Sequence, residues 1–127
     1  AQTLGTIFSS GAEKPYEVEI FVAEVGDDAT EDQVYRLTYD GSVADVQGFG
    51  VMGGQSENVE AYLRENYAAD QDLTTTLRLA ATALGQDGNG GRQIPAQDLE
   101  VAVLDRTRTQ PRKFKRLADR QVAEALN

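Results

Sequence analysis

The sequence predicts a mixed α/β (α+β) fold in which sheet is covered by helices, and three observations predict it. Residues 20–25 (Ile20, Phe21, Val22, Ala23, Glu24, Val25) are apolar at nearly every position, the mark of a strand covered on both faces. Residues 73–84 place Leu73, Leu77, Ala80, Ala81 and Leu84 on one helical stripe. Leu99 to Leu104 returns to a strand pattern, apolar on both faces apart from Glu100, as for a strand placed centrally in a sheet. Sheets that need cover on both sides and helices that are apolar on one side are satisfied together by a sandwich with helices outside.

Along the chain, AQTLGTIF at 1–8 sets Leu4, Ile7 and Phe8 at helical spacing without a capping residue, so it reads as the end of a helix. Gly11 and Pro15 break that pattern before a first strand at 16–25. GDDATED at 26–32 reads as an exposed acidic turn. A second strand at about 33–39 puts Tyr35, Leu37 and Tyr39 on one face and Val34, Arg36 and Thr38 on the other. Asp40-Gly41 predicts a tight hairpin turn, because glycine accepts positive φ, and Val43 to Met52 is expected to return as a third strand loosened at Gly48 and Gly50.

Gly53-Gly54 leads into a helix expected to be capped by Ser56, with Glu57 complementing its dipole and Val59, Tyr62, Leu63 and Tyr67 on the buried face. Asp72 is the expected cap of the next helix, and Gly85 its stop. QDGNGGRQIPAQ at 86–97, poor in apolar residues, reads as a mobile surface loop. After 105–111, Arg112 to Leu117 reads as a short edge strand whose cations discourage further pairing. Asp119 is the expected cap of a last helix with Val122, Ala123 and Leu126 on its apolar side. The order is helix end, three strands, two helices, two strands, helix, with no internal repeat and no linker. Residues 1–127 are therefore read as belonging to a single domain.

At 127 residues and 40% hydrophobic content the chain can bury a core. No apolar stretch approaches the ~20 residues that span a bilayer, and no signal-peptide pattern opens the sequence, so the expectation is a soluble, cytoplasmic protein with no membrane partner. Cysteine is absent, which excludes disulfides and thiolate metal sites within the sequence. Histidine is absent too, which removes the usual general base at neutral pH and every triad that depends on it.

The net charge of −9 is unevenly placed: residues 1–105 hold 19 acidic and 5 basic side chains, whereas 106–127 hold 2 and 7. Arg106, Arg108, Arg112, Lys113, Lys115 and Arg116 form one basic cluster. Only Phe114 lies among them as a stacking aromatic, and the acidic remainder repels a long polyanion, so no nucleic-acid partner is expected. A solvated hairpin or a contact with an acidic neighbour is the better reading.

The remaining motifs have structural readings. Gly53-Gly54 follows a strand and precedes a helix but lacks both the GxGxxG spacing and the GK[ST] ending of a phosphate cradle, which leaves close helix–strand packing. Asp27, Asp28, Glu31 and Asp32, and Asp87 with Asn89, lack the ligand spacing of a calcium loop and read as solvated turns. Glu17 and Glu19 share one face of a strand, where surface charge outweighs an acid–base pair. Tyr35, Tyr39, Tyr62 and Tyr67 suit core or subunit contact. The expected site inventory is accordingly no catalytic residue, no cofactor-binding residue, no metal ligand and no cofactor.

Five segments carry a family resemblance: AQTLGTIF at 1–8, KPYEVEIFVAEV at 14–25, YRLTYDGS at 35–42, VMGG at 51–54 and LEVAVLDR at 99–106. In that order and spacing they resemble the α-subunits of the 20S proteasome, most closely those of actinobacteria. The likeness covers the C-terminal half of that domain. It implies part of a four-layer αββα sandwich of the N-terminal-nucleophile hydrolase type, in which two antiparallel sheets are covered by helix pairs.

The resemblance implies a non-catalytic subunit of a threonine-type endopeptidase complex, since the family's β-subunits carry the nucleophilic N-terminal threonine. This sequence opens on Ala1, with Thr3 and Thr6 inside the helix-like stretch. The implied partners are other α-subunits in a heptameric ring, β-subunits and an ATPase activator ring. The implied roles are ring assembly, gating and ATP-dependent protein degradation. Two alternatives stand beside it: half of another N-terminal-nucleophile hydrolase, or a stand-alone protein-binding module.

Overall fold

The computed structural model describes residues 18–127, so the expected helix end at 1–8 and the start of the first strand lie outside the described residues. The chain divides into two compact units between Gln47 and Gly48. The first holds a three-stranded antiparallel sheet in the order β1 (Ile20–Glu24), β2 (Gln33–Leu37), β3 (Val43–Asp45). The second holds α1 (Ser56–Asn66), α2 (Leu73–Leu84), the two-stranded hairpin β4 (Ala102–Leu104) and β5 (Phe114–Arg116), and α3 (Asp119–Leu126). The mixed α+β class and the order of elements from the first strand onward match expectation.

In the first unit β1 and β2 pair along their whole length, Ile20 opposite Leu37 and Glu24 opposite Gln33, and Leu37 continues the row to Val43. The acidic segment between β1 and β2 is an exposed 3-10 turn, Ala29–Glu31, capped by the Asp28 carboxylate, which accepts from the Thr30 N–H at 2.8 Å. Between β2 and β3 the turn forms at Asp40-Gly41: Gly41 has φ +89°, and its N–H donates to the Thr38 carbonyl at 3.0 Å. The third strand is shorter than Val43 to Met52. Its last ladder bond runs from the Val46 N–H to the Val34 carbonyl at 2.9 Å, and Gly48, at φ +80°, ends the extended run.

Among the described residues the core lies in the second unit, as two clusters sharing α2. Val51, Val59, Leu63 and Ala83 form one, with Phe49, Tyr62 and Leu79 packed against it. Leu77, Leu99, Leu117 and Val122 form the other, with Ile94, Val101, Val103, Ala125 and Leu126 around them. Burying each large aliphatic side chain contributes about 1.5–3 kcal/mol, which is what holds helices of 8 to 12 residues that would be marginal alone.

Helix ends test the expected caps one by one. Asp72 caps α2 as expected, its carboxylate accepting from the Thr75 N–H at 2.7 Å. Ser56 is instead the first helical residue of α1, and Gln55 occupies the cap, where its Oε1 accepts from the Asn58 Nδ2 at 2.7 Å. Asp119 likewise opens α3 rather than capping it; Ala118 is the cap, and its N–H donates to the Gln121 Oε1 at 2.8 Å. Gly85 stops α2 as expected but in a right-handed conformation, φ −82°, and the reason for glycine is proximity. A Cβ there would lie 2.0 Å from the Arg92 carbonyl oxygen.

Two further expectations are corrected. Leu99 to Leu104 is a strand only over Ala102–Leu104, and among the described residues β4 pairs with β5 alone rather than standing between two strands. Val103 turns inward while Ala102 and Leu104 face out, because a lone hairpin buries one side only. The 86–97 segment is not wholly a surface loop: Ile94 and Ala96 pack on the second core cluster, and Ala96–Asp98 forms a 3-10 turn.

Candidate functional site

The feature with the clearest functional content is one face of the β1–β3 sheet. Antiparallel register puts Ile20, Val22, Tyr35, Leu37 and Val43 on a common side, bordered there by Asp45 and by the Glu24–Gln33 pair. Of these, Ile20 is 42%, Val22 45% and Val43 63% exposed, and among the described residues no buried core residue belongs to the first unit. The sequence leads to an expectation of cover on both faces of the first strand, which this sheet does not supply. Three strands alone cannot cover themselves, and single apolar residues tolerate exposure better than a contiguous row does.

The opposite face is differently built. Phe21 pairs with Arg36, whose guanidinium sits 5.8 Å from the ring centroid and whose Nη2 lies 2.9 Å from the Glu19 Oε2. Here a cation, a carboxylate and an aromatic ring cover one another, leaving the polar tips to water. Glu19 thus serves as an ion-pair partner, and Glu17 lies outside the described residues.

The basic cluster is bound up in its own hairpin. Lys115 lies 3.5 Å from the Asp105 carboxylate and Arg116 3.1 Å from that of Glu100. Arg108 donates to the Phe114 carbonyl at 2.6 Å, Lys113 donates to the Arg108 carbonyl, and Arg112 lies over the Phe114 ring at 5.6 Å. These contacts hold the cations close to the backbone rather than aligned along a groove.

Among the described residues, the carboxyls whose pKa is displaced are all displaced downward, by turn geometry. The Thr38 hydroxyl and then the Ser42 N–H do so at Asp40, the Thr75 N–H at Asp72, the N–H groups of Asn89 and then Gly91 at Asp87, and the Thr107 hydroxyl and then its N–H at Asp105. Groups so stabilised as anions serve as caps and turn staples, the opposite of what a general acid needs. Asp87 and Asn89, considered together as cation ligands, are joined instead by a hydrogen bond: the Asn89 N–H donates to the Asp87 Oδ1 at 2.8 Å. Among the described residues no group of three or more His, Cys, Asp or Glu could hold a metal ion. No helix among them is long and apolar enough to cross a membrane.

Of the four tyrosines singled out above, Tyr35 lies on the apolar sheet face and donates its hydroxyl to the Gln33 Oε1 at 2.6 Å, and Tyr39 stands exposed beside the turn. Tyr62 packs on the first core cluster, and Tyr67 packs against Phe49 with centroids 5.3 Å apart and ring planes tilted by 58°. Gly53, at φ +121°, supplies the reversal that starts α1, and neither Gly53 nor Gly54 has an atom within 4 Å of a would-be Cβ. Conformational freedom, rather than the expected close packing, explains Gly53, and nothing in the structure requires glycine at Gly54.

Sequence reasoning does not anticipate a cavity of about 740 Å³ in the second unit, walled by α2, α3 and the 86–96 segment. Arg78, Arg92 and Gln86 supply its polar lining, and Ala81, Ile94 and Leu126 its apolar lining. Arg78 is committed to the end of α3, with its Nε and Nη2 each 2.7 Å from the carbonyls of Ala125 and Asn127.

Comparison with known proteins gives this geometry a context. The family model described as "Proteasome subunit" matches residues 1–103. A protein of Nocardioides sp. called "Proteasome subunit alpha" is 64% identical over 126 residues, covering 99% of this chain and 49% of that protein. Proteins of the same name from Streptomyces griseus and Streptomyces coelicolor are each 55% identical, covering 100% and 99% of this chain and 47% and 50% of theirs. The chain spans about half the length of the curated relatives it matches.

Proposed function

The chain belongs to the proteasome subunit family, and from that premise we propose that it is half of a non-catalytic α-type subunit of a proteasome core particle. The observation that carries this reading is the 64% identity, over nearly the whole chain, to a relative named as an alpha subunit. In this reading the segment contributes scaffold surface to a heptameric outer ring that stacks on β-subunits, receives an ATPase activator ring, and gates ATP-dependent protein degradation in the cytoplasm.

In this reading the carboxyls of Asp40, Asp72 and Asp105, stabilised as anions by hydrogen bonds, serve as turn staples and a helix cap rather than as acid–base groups. The row Ile20, Val22, Tyr35, Leu37 and Val43 supports the fold reading. The β1–β3 sheet is one layer of a four-layer αββα sandwich, this chain is its C-terminal half, and the facing sheet comes from the other half of the subunit.

The test is co-expression of the full-length subunit carrying this segment with a proteasome β-subunit from the same source, read by native mass spectrometry. The expected product is a ring-sized assembly containing both polypeptides. A full-length subunit that stays folded and monomeric beside its β-partner would sink the proposal.

A further inference from the structure

We infer that the Asn89–Gly90 bond is a self-modifying site, at which Asn89 converts through a cyclic imide into aspartate and isoaspartate. The reaction needs an exposed side-chain amide, a following backbone nitrogen that is not tied up, and room around that nitrogen. Asn89 and Gly90 are both exposed, and a Cβ added at Gly90 would meet nothing within 4 Å. Among the described residues no hydrogen bond engages the Gly90 N–H, although the neighbouring N–H groups of Asn89 and Gly91 both donate to the Asp87 Oδ1, at 2.8 and 3.2 Å. Gly90 also has φ +94°, a region glycine reaches freely, and it carries no side chain to obstruct ring closure.

The chain's other internal asparagines are built the opposite way. After Asn58 comes Val59, whose N–H donates to the Gln55 carbonyl at 3.1 Å; after Asn66 comes Tyr67, whose N–H donates to the Leu63 carbonyl at 2.7 Å. Their side-chain amides are held as well, Asn58 on the Gln55 Oε1 at 2.7 Å and Asn66 on the Tyr62 carbonyl at 2.8 Å. Helix hydrogen bonding therefore withholds both reactants at those positions, and the 86–91 turn supplies both at Asn89.

In the step itself hydroxide removes the Gly90 amide proton and the nitrogen attacks the Asn89 Cγ. The new C–N bond closes a five-membered imide as the Cγ–Nδ2 bond breaks, and ammonia leaves. Water then adds to either imide carbonyl, giving aspartate or an isoaspartyl linkage, so the balance is one water in and one ammonia out. Either product places a new carboxylate two residues from Asp87, in the segment whose Gly90, Gly91 and Arg92 wall the cavity facing Arg78. The isoaspartyl product also lengthens the backbone by one carbon inside a turn stapled by the Asp87 carboxylate.

The experiment incubates the purified full-length subunit carrying this segment at mildly acidic and mildly alkaline pH, beside a synthetic peptide of residues 79–92. Trypsin, cutting after Arg78 and Arg92, releases the same peptide from the protein, with Asn89 as its only asparagine. The expected result is the amide-to-acid mass gain in that peptide, faster at alkaline pH and absent from N89Q. Its rate should lie within about tenfold of the free peptide's, since a turn that needs no opening reacts like unfolded chain. Native protein that keeps 79–92 intact while the free peptide converts would overturn the inference, as would equal conversion at Asn58 and Asn66.

Discussion

Replacing Gly85 by alanine sets two effects against each other, and the structure says which wins. Gly85 ends α2 at φ −82° and ψ −5°, a conformation alanine adopts without strain, so chain entropy alone would favour the substitution by about 0.4–1 kcal/mol. Against this, the new methyl would lie 2.0 Å from the Arg92 carbonyl oxygen, a backbone atom that cannot swing aside as a side chain would. Relieving the overlap by more than about 1 Å strains a packed site at roughly 1–3 kcal/mol. It also endangers the bond from the Arg92 N–H to the Gly85 carbonyl, 2.9 Å long and worth about 1 kcal/mol. The net expectation is a loss of roughly 1–3 kcal/mol. Denaturant unfolding of the full-length subunit would measure it, with hydrogen exchange at Arg92 reporting the local share. G54A is the matched control: with open space around its would-be Cβ it should change stability by less than about 0.5 kcal/mol. A G85A protein as stable as the parent, with Arg92 still protected, would refute the close approach of Gly85 and Arg92.

Three other outcomes follow from the same structure. V122A removes two methyl groups from a fully buried position between Leu77, Leu99 and Leu117, and should cost about 2–3 kcal/mol by denaturant unfolding. At Asp72 the folded carboxyl is more acidic than the unfolded one because it accepts from the Thr75 N–H, so its contribution is present above about pH 4 and fades as pH falls through the lower folded value. D72A should therefore lower the melting temperature at neutral pH and converge on the parent in strong acid; an equal deficit at every pH would disprove the link. In the proposed full-length subunit, V22E on the apolar face of the β1–β3 sheet should block ring assembly in native mass spectrometry, whereas A44E on the opposite face should interfere less.

Local chemistry makes some of this legible in the sequence. Asp40-Gly41 and Asp72 act through bonds to residues two or three positions away, so their roles are written in the sequence beside them. Ser56 and Asp119 are good capping types, but each sits one residue too late, and no rule of residue preference fixes a helix boundary that closely. A third strand reaching Met52 is too long because Gly48 ends it through a positive φ that is compatible with, but not dictated by, glycine. The basic hairpin is visible as composition, whereas the placing of Lys115 beside Asp105 and Arg116 beside Glu100 follows from strand register and tertiary approach. The cavity between α2, α3 and the 86–96 segment leaves no local signal, because its walls come from distant stretches of chain. Apolar faces on β1 and β2 announce a demand for cover, and in the proposed subunit its other half supplies it.

The Asp40-Gly41 turn has a role beyond joining two strands. Side chains alternate sides along a strand, so the number of residues between Leu37 and Val43 decides which way the returning strand presents itself. With the present spacing Val43 stands beside Leu37 and extends the apolar row, and Ala44 falls beside Arg36 on the charged side. One inserted residue would exchange them, presenting Val43 to the ion pair and the small Ala44 to the apolar side. The turn is thus a phase setting for the whole surface, and it is held by groups on the turn itself: the Asp40 carboxylate receives the Ser42 N–H, and Gly41 donates back to Thr38. Lineages that change loop lengths elsewhere should keep the count at this corner.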